Sequence, residues 1–204
     1  MNLKVERSSA CKLSDPVHYL DPNASDAVAA QIRRYLPGAP DTDDPILIVC
    51  IGTDRSTGDA LGPLVGTRIE ELQIPDIVVY GTLEHPVHAV NLTDTLMEIR
   101  TLHPGRFTIA VDACLGRQKN IGNICVAGGP LLPGAGVNKR LEAVGQMNIT
   151  GLVNVSGFME YSVLQSTRLN LVIRIADVIG LGLQKALLTH KRPGILSRFL
   201  PGGL

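Results

Sequence analysis

Two aspartates stand next to apolar segments that are typical of buried strands. Asp59 closes the loop GTDRSTGD, which follows the segment PILIVCIG, and Asp112 follows the run TIAV. Two carboxyl groups in one crevice can share a proton, so that one acts as a base toward water while the other acts as an acid. A carboxylate pair can also bind a divalent metal ion. The spacing does not decide between these two kinds of chemistry.

The loop before Asp59 does not fit a nucleotide site. A phosphate-binding loop carries Gly-Lys-Ser or Gly-Lys-Thr after its spacer, whereas here Asp59 follows Gly58, and no GxGxxG pattern occurs. Aspartates would repel a phosphate, so the loop favours a cation, a water molecule or a peptide. A plainer interpretation of Asp59 is a helix N-cap, because aspartate is preferred there and a helix is predicted to begin at this point.

The elements around these aspartates alternate between strands and helices. The pattern predicts strands over residues 45–52, 76–83, 106–116, 123–130 and 150–157, and helices over 25–36, 60–73, 89–102 and 162–190. Ser25 and Asn91 are predicted N-caps, and residues 131–145 are predicted to be glycine-rich and then partly helical. We therefore expect an α/β fold of three layers, with a mostly parallel sheet and helices on both faces.

This fold brings the two aspartates together, because ligands of open α/β sheets bind beyond the carboxyl ends of the strands. We expect residues 1–40 to be an N-terminal extension with a short helix, and residues 41–204 to be a single α/β domain. Gly180 and Gly182 would allow close helix packing, either against another subunit of a homo-oligomer or inside one chain.

Composition narrows the classes of partner and the compartment. The chain has 19 Lys and Arg and 19 Asp and Glu, so its formal net charge is zero, and neither nucleic acid nor an anionic membrane is a predicted partner. No segment resembles a signal peptide or a membrane span, which favours the cytoplasm. None of the four cysteines forms a CxxC pair, so free buried thiols are favoured over disulfides or a zinc site.

Three segments, GTDRSTGDALGPLVG, VDACLGR and PGAGVNKR, resemble in this order three motifs of the spore germination protease family. The length and layout are more similar to the YyaC-type sporulation proteins, which are shorter relatives, and the fold is remotely similar to that of hydrogenase maturation endopeptidases and other phosphorylase/hydrolase-like domains. The resemblance implies an atypical aspartic endopeptidase without a cofactor, with Asp59 and Asp112 as its catalytic aspartates. It also implies small acid-soluble spore proteins as substrates, in the forespore or mother cell of a spore-forming bacterium. Because the germination protease is made as a longer zymogen, residues 1–40 are either a pro-segment or an ordinary extension.

The resemblance and the loop together predict a set of substrate-binding residues. Arg117 matches the arginine after the second motif, and Gly134, Gly136, Asn138, Lys139 and Arg140 match the third. The predicted substrate-binding set is Gly52, Thr53, Asp54, Gly58, Arg117, Gly134 and Asn138. Two departures stand out: Leu132 replaces the histidine of the family motif, and Val137 runs directly into Asn138. The absent histidine argues against nickel-type chemistry.

Three functions stay open on the sequence. The first is a peptidase that uses both aspartates. The second is a catalytically inactive sporulation protein that keeps the peptidase scaffold for binding, which the altered third motif favours. The third is a metal-dependent hydrolase or metal-binding protein, for which Glu84, His85 and His88 in the segment EHPVH supply further ligand types, although the pattern favours an exposed loop there.

Overall fold

A six-stranded sheet forms the centre of the protein. The computed structural model describes residues 15–38, 45–134 and 141–190. The strands are β1 (Val17–His18), β2 (Ile46–Cys50), β3 (Ile77–Tyr80), β4 (Thr108–Gly116), β5 (Asn123–Gly128) and β6 (Met147–Val155). Their order in the sheet is β1-β5-β6-β4-β2-β3. The pairs formed by β2, β3, β4 and β6 are parallel, whereas β5 is antiparallel to both of its neighbours.

Helices cover both faces of this sheet, so the predicted three-layer α/β fold is confirmed. They are α1 (Ala24–Arg33), α2 (Leu61–Glu71), α3 (Leu92–Leu102), α4 (Glu160–Gln165) and α5 (Leu169–His190). Along β2, Ile46, Ile48 and Cys50 pack with α1, α2 and α5, while Leu47 and Val49 pack with α3 on the other face. Burial on both faces explains why this strand is continuously apolar.

The strand order creates a switch point between β2 and β4. From β2 the chain passes through α2 to β3 on one side, and from β3 it passes through α3 to β4 on the other side of β2. Helices α2 and α3 lie on opposite faces, so a crevice opens between the carboxyl ends of β2 and β4.

Several predicted boundaries change in the structure. The single helix predicted for 162–190 is two helices, because Asn154 on β6 donates to the Val163 carbonyl (3.3 Å) and to Thr167 Oγ1 (3.1 Å) and fixes a break there. Ser25 is not an N-cap: α1 begins after Asn23, and Ser25 Oγ accepts from Lys185 Nζ at 3.0 Å. Asn91 is confirmed as the N-cap position of α3.

The described flanks of the third motif are not helical. Leu131 and Val144 form an antiparallel bridge, so residues 131–134 and 141–145 belong to the two arms of a hairpin. This hairpin follows β5 and lies at the amino-terminal ends of β4 and β6, since Gln146 donates its backbone N–H to the Thr108 carbonyl at 2.9 Å.

The described part of the predicted N-terminal extension belongs to the same body as the rest. Strand β1 pairs with β5, and Val28 and Ile32 of α1 lie in the main core beneath α5. Gly182 of α5 packs directly on Val28, where an added Cβ would lie 2.6 Å from Val28 Cγ1. Gly180 faces Arg68 of α2, so both glycines of α5 serve packing inside the chain.

Candidate active site

The loop after β2 folds back on itself and brings Asp59 to the end of the strand. Gly52 donates its N–H to the Val87 carbonyl at 2.8 Å, and Thr53 donates its N–H to the Asp59 carbonyl at 3.1 Å. Gly52 has φ +151°, and a Cβ there would overlap the Asp59 carbonyl oxygen. A glycine is therefore required at residue 52 for the loop to close.

Asp59 does not cap helix α2. It lies in the 3-10 turn Gly58–Ala60, the N-cap position of α2 is Ala60, and no side-chain cap hydrogen bond forms there. The first turn of α2 sits directly on β2, because a Cβ on Gly62 would overlap the Ile51 carbonyl oxygen. The carboxyl group of Asp59 is thus partly buried at the strand end and is not engaged in holding the helix start.

Asp112 lies within β4 at the point where β2 stops. Val111 pairs with Cys50, the last residue of β2, so Asp112 has a partner strand only on the other side, where it pairs with Thr150 of β6. One carboxylate oxygen, Oδ1, accepts the N–H of Ala113 at 2.8 Å. The strand continues to Gly116, so Asp112 lies inside β4 and is not its last residue.

The pKa shifts show that the two carboxyl groups lie close enough to interact. Burial raises the pKa of Asp112 well above its ordinary value, the Ala113 N–H opposes this, and the charge of Asp59 raises it further. Burial also raises the pKa of Asp59, and the nearby Ser56 hydroxyl lowers it. Of the two carboxyl groups, Asp112 therefore holds a proton more strongly than Asp59 does.

Three further residues at this crevice were missed by the sequence analysis. The Ser56 hydroxyl is buried near Asp59 and has no hydrogen-bond partner of full geometry. Thr150 faces Asp112 across the β4–β6 pair. Burial raises the pKa of Cys114 to about 12, and a hydrogen bond with Thr150 opposes this rise. Cys114 is thus a neutral thiol at physiological pH and no activated nucleophile. Of these three residues, only Ser56 could have been predicted from the sequence, because it lies in the loop that leads to Asp59.

The remaining predicted binding residues divide into two groups. Gly58 is buried against Leu164 of α4, and Asp54 and Arg117 are exposed at the ends of β2 and β4. Gly134 lies on the hairpin at the amino-terminal ends of β4 and β6, whereas the aspartates lie toward the carboxyl ends of the strands. No described contact joins Gly134 to the aspartates. Asn138 lies outside the described residues, as do the other residues of the third motif from 135 to 140.

The histidines after β3 serve the local backbone. The N–H of His85 donates to Thr82 Oγ1 at 3.1 Å, and the N–H of His88 donates to Asn91 Oδ1 at 2.8 Å. Within residues 15–38, 45–134 and 141–190, no cluster of three or more His, Cys, Asp or Glu side chains is arranged to hold a metal ion.

The cysteines are not all free thiols. Cys50 and Cys114 are free, whereas Cys125 on β5 is disulfide-bonded, so the prediction of a free thiol is wrong at that position. Among the described helices none has the length and apolarity needed to cross a bilayer.

Comparison with known proteins identifies the family. The chain matches the family described as "Protein of unknown function (DUF1256)" over residues 16–182, and it belongs to that family. It is 56% identical over 159 residues to the uncharacterized protein YyaC of Bacillus subtilis (strain 168), a match that covers 77% of this chain and 78% of YyaC.

A solved structure shares the fold. The NiFe hydrogenase maturation protease HycI from Thermococcus kodakarensis KOD1 superposes with a TM-score of 0.51 at 17% sequence identity, and the match covers 78% of this chain and 98% of HycI. At this identity the likeness concerns the arrangement of strands and helices.

Proposed function

We propose that this member of the DUF1256 family is an endopeptidase of spore-forming bacteria that cleaves protein segments with Asp59 and Asp112. The observation that carries the proposal is the meeting of two carboxyl groups at the switch point, each with a raised pKa and with the charge of one raising the pKa of the other. Two carboxyl groups that can share one proton are suited to acid–base catalysis.

In the proposed reaction the ionised Asp59 removes a proton from a water molecule, whose oxygen attacks the scissile carbonyl carbon. Asp112 gives its proton to the carbonyl oxygen, which produces a neutral tetrahedral diol. Asp59 then passes its proton to the amide nitrogen while Asp112 takes a proton from a diol hydroxyl. The C–N bond breaks, a carboxylic acid and an amine leave, and the two aspartates return to their starting protonation states.

The geometry of the loop after β2 supports a role for Asp112 in stabilising the carbonyl oxygen of the substrate. The N–H groups of Gly52 and Thr53 already donate to Val87 and Asp59, and the N–H of Arg55 donates to Thr53 Oγ1 at 3.3 Å. These three backbone donors are therefore turned away from a substrate. A protonated carboxyl group at Asp112 supplies an O–H donor that these N–H groups do not.

The substrate and setting are supported by resemblance. The ordered motifs GTDRSTGDALGPLVG, VDACLGR and PGAGVNKR are similar to those of the spore germination protease, so small acid-soluble spore proteins are the first substrates to test. The HycI likeness supports a scaffold on which proteases occur. We place the protein in the cytoplasm of the forespore or mother cell.

The test is a cleavage assay on small acid-soluble spore proteins and a peptide library, with products identified by mass spectrometry. Cleavage by the full chain should fall by at least about a hundredfold in Asp59→Asn and in Asp112→Asn, since each removes an acid–base group. Asp94→Asn is the matched control, because Asp94 is an exposed aspartate in the first turn of α3. Full activity in either site variant would exclude this mechanism.

A second candidate function is a binding protein that keeps the scaffold without cleaving. The observation that favours it is Leu132, which stands where the related motif has histidine and whose side chain is 67% exposed. Two results together would favour this function over the peptidase. The folded wild-type chain would cleave no substrate, and it would bind a partner protein that the Asp112→Asn variant also binds.

A further inference from the structure

A buried hydroxyl group in the loop before Asp59 has no role in the mechanism described so far. Ser56 is 4% exposed, whereas the two residues before it, Asp54 and Arg55, are exposed. The Oγ atom of Ser56 is closed to water and has no hydrogen-bond partner of full geometry among the described residues. Burying an unpaired hydroxyl group is unfavourable, so its presence in a native fold points to a function.

The backbone of this turn places the side chains of Ser56 and Asp59 next to each other. Thr57 is helical, with φ −57° and ψ −43°, and the 3-10 turn Gly58–Ala60 follows it directly. In a 3-10 turn, side chains three positions apart lie one above the other. The pKa of Asp59 agrees with this placement, because burial raises it and the hydroxyl group of Ser56 lowers it.

Contacts on both sides fix the turn that joins the two residues. The Thr53 N–H donates to the Asp59 carbonyl at 3.1 Å, which closes the loop around Ser56. Gly58 is seated on α4, where an added Cβ would lie 2.7 Å from Leu164 Cδ2. The distance between the Ser56 and Asp59 side chains is therefore set by the surrounding structure.

Two common roles of a serine hydroxyl group do not fit Ser56. It does not cap a helix, because no side-chain cap hydrogen bond forms at the start of the 3-10 turn or of α2. It does not act as a nucleophile, because an oxygen atom closed to water is also closed to a substrate. What is left is an interaction inside the protein, and Asp59 lies beside it.

We propose that Ser56 is a positioning residue, whose hydroxyl group donates a hydrogen bond to the Asp59 carboxylate and holds it in the ionised form that removes a proton from water. The inference rests on the proposed function and adds the residue that keeps Asp59 in the role of the base. The hydroxyl hydrogen can rotate toward an acceptor, and hydrogen bonds at catalytic sites often reach full geometry only with substrate bound. A hydrogen bond to a carboxylate stabilises its charged form.

The first experiment measures the pKa of Asp59 without any substrate. The carboxyl carbon of Asp59 is followed by ¹³C NMR during a pH titration of full-length Asp112→Asn protein, in which the second titrating group is absent. The signal is identified by its loss when Asp59→Asn is added. We expect Ser56→Ala to raise the pKa of Asp59, because the ionised form loses a hydrogen bond.

Thr57→Val is the matched control, because it removes a hydroxyl group from the next residue of the same turn and keeps the side-chain shape. It should leave the pKa of Asp59 unchanged. Ser56→Gly also lacks the hydroxyl group and should show the same rise as Ser56→Ala, and thermal unfolding checks that each variant is folded. An unchanged pKa of Asp59 in the folded Ser56 variants, or an equal rise in Thr57→Val, would overturn the inference.

The second experiment uses the cleavage assay and separates the inference from the proposed function. Ser56→Ala should lower kcat about tenfold with KM unchanged, and the acid limb of the pH profile should move to higher pH. A purely structural role would lower stability without moving that limb. A rise in the pKa of Asp59 without any cleavage by the wild-type chain would retain the role of Ser56 and exclude the peptidase. Cleavage that needs both aspartates, with the same pH profile in Ser56→Ala, would retain the peptidase and exclude this role.

Discussion

At the scale of single residues, the two carboxyl groups differ in what surrounds them. Asp112 lies on a strand between packed layers, and its described hydrogen bond comes from the Ala113 N–H. Asp59 lies on a turn at the edge of the crevice, with the Ser56 hydroxyl nearby. Because Asp112 is desolvated more strongly, it has the higher affinity for a proton. An acid–base pair requires such a difference between its two groups.

The raised pKa of Asp112 predicts a pH-dependent cost in stability. Because the folded protein holds this proton more tightly than the unfolded chain does, the free energy of unfolding falls as the pH rises from the ordinary aspartate pKa through the raised one. Each unit of difference corresponds to about 1.4 kcal/mol. Asp112→Asn cannot ionise, so it should be more stable than the wild type at pH 8 and closest to it near pH 3 to 4.

Urea unfolding followed by circular dichroism across this pH range checks the prediction. Asp94→Asn, which alters an exposed aspartate, should show no such trend. A stability difference between Asp112→Asn and the wild type that stays constant with pH would contradict a raised pKa at this residue, and so would one that grows as the pH falls.

At the scale of secondary-structure elements, the seat of α2 on β2 sets the position of Asp59. The helix comes so close to the strand that residue 62 has no room for a side chain against the Ile51 carbonyl oxygen. Gly62→Ala should therefore push the helix start away from the strand, at a cost of about 2–4 kcal/mol in unfolding free energy, a range typical of severe overpacking. Any activity that depends on Asp59 should fall with it.

Gly180→Ala is the matched control for this helix glycine. A Cβ at residue 180 would lie 3.4 Å from Arg68 Cδ, which belongs to a flexible side chain. Alanine should then stabilise α5 by up to about 1 kcal/mol through its higher helix propensity. Thermal unfolding of both variants distinguishes them, and similar changes in both would show that the contact at residue 62 does not position the helix.

The features that could be predicted from the sequence are those fixed by residues close together along the chain. The continuous apolar run of β2 and the N-cap position at Asn91 depend on nearby residues, and both were predicted. The break between α4 and α5 was missed because it depends on Asn154, a residue of β6 that contacts the chain after it has turned back. The pairing of Asp112 with Thr150 is equally non-local, so that part of the crevice was not foreseen.

At the scale of the whole molecule, the N-terminal part of the chain is built into the core. Helix α1 places Val28, Ala29 and Ile32 against α5, and all three are fully buried. The expected extension of residues 1–40 therefore includes core elements from residue 17 onward. A cut intended to release a pro-segment must consequently fall before this region.

Two truncated chains test this arrangement. A chain of residues 15–204 keeps β1 and α1, whereas one of residues 41–204 lacks them and exposes the apolar face of α5. Losing the buried side chains of α1 should cost on the order of 5 kcal/mol, which is comparable with the whole stability of a domain. We expect 15–204 to unfold cooperatively in urea, and 41–204 to bind the dye ANS and show no cooperative transition. Equal urea midpoints would contradict the role of α1 in the core. If the prediction holds, a zymogen can be tested only with 15–204, because inactivity of 41–204 would report unfolding.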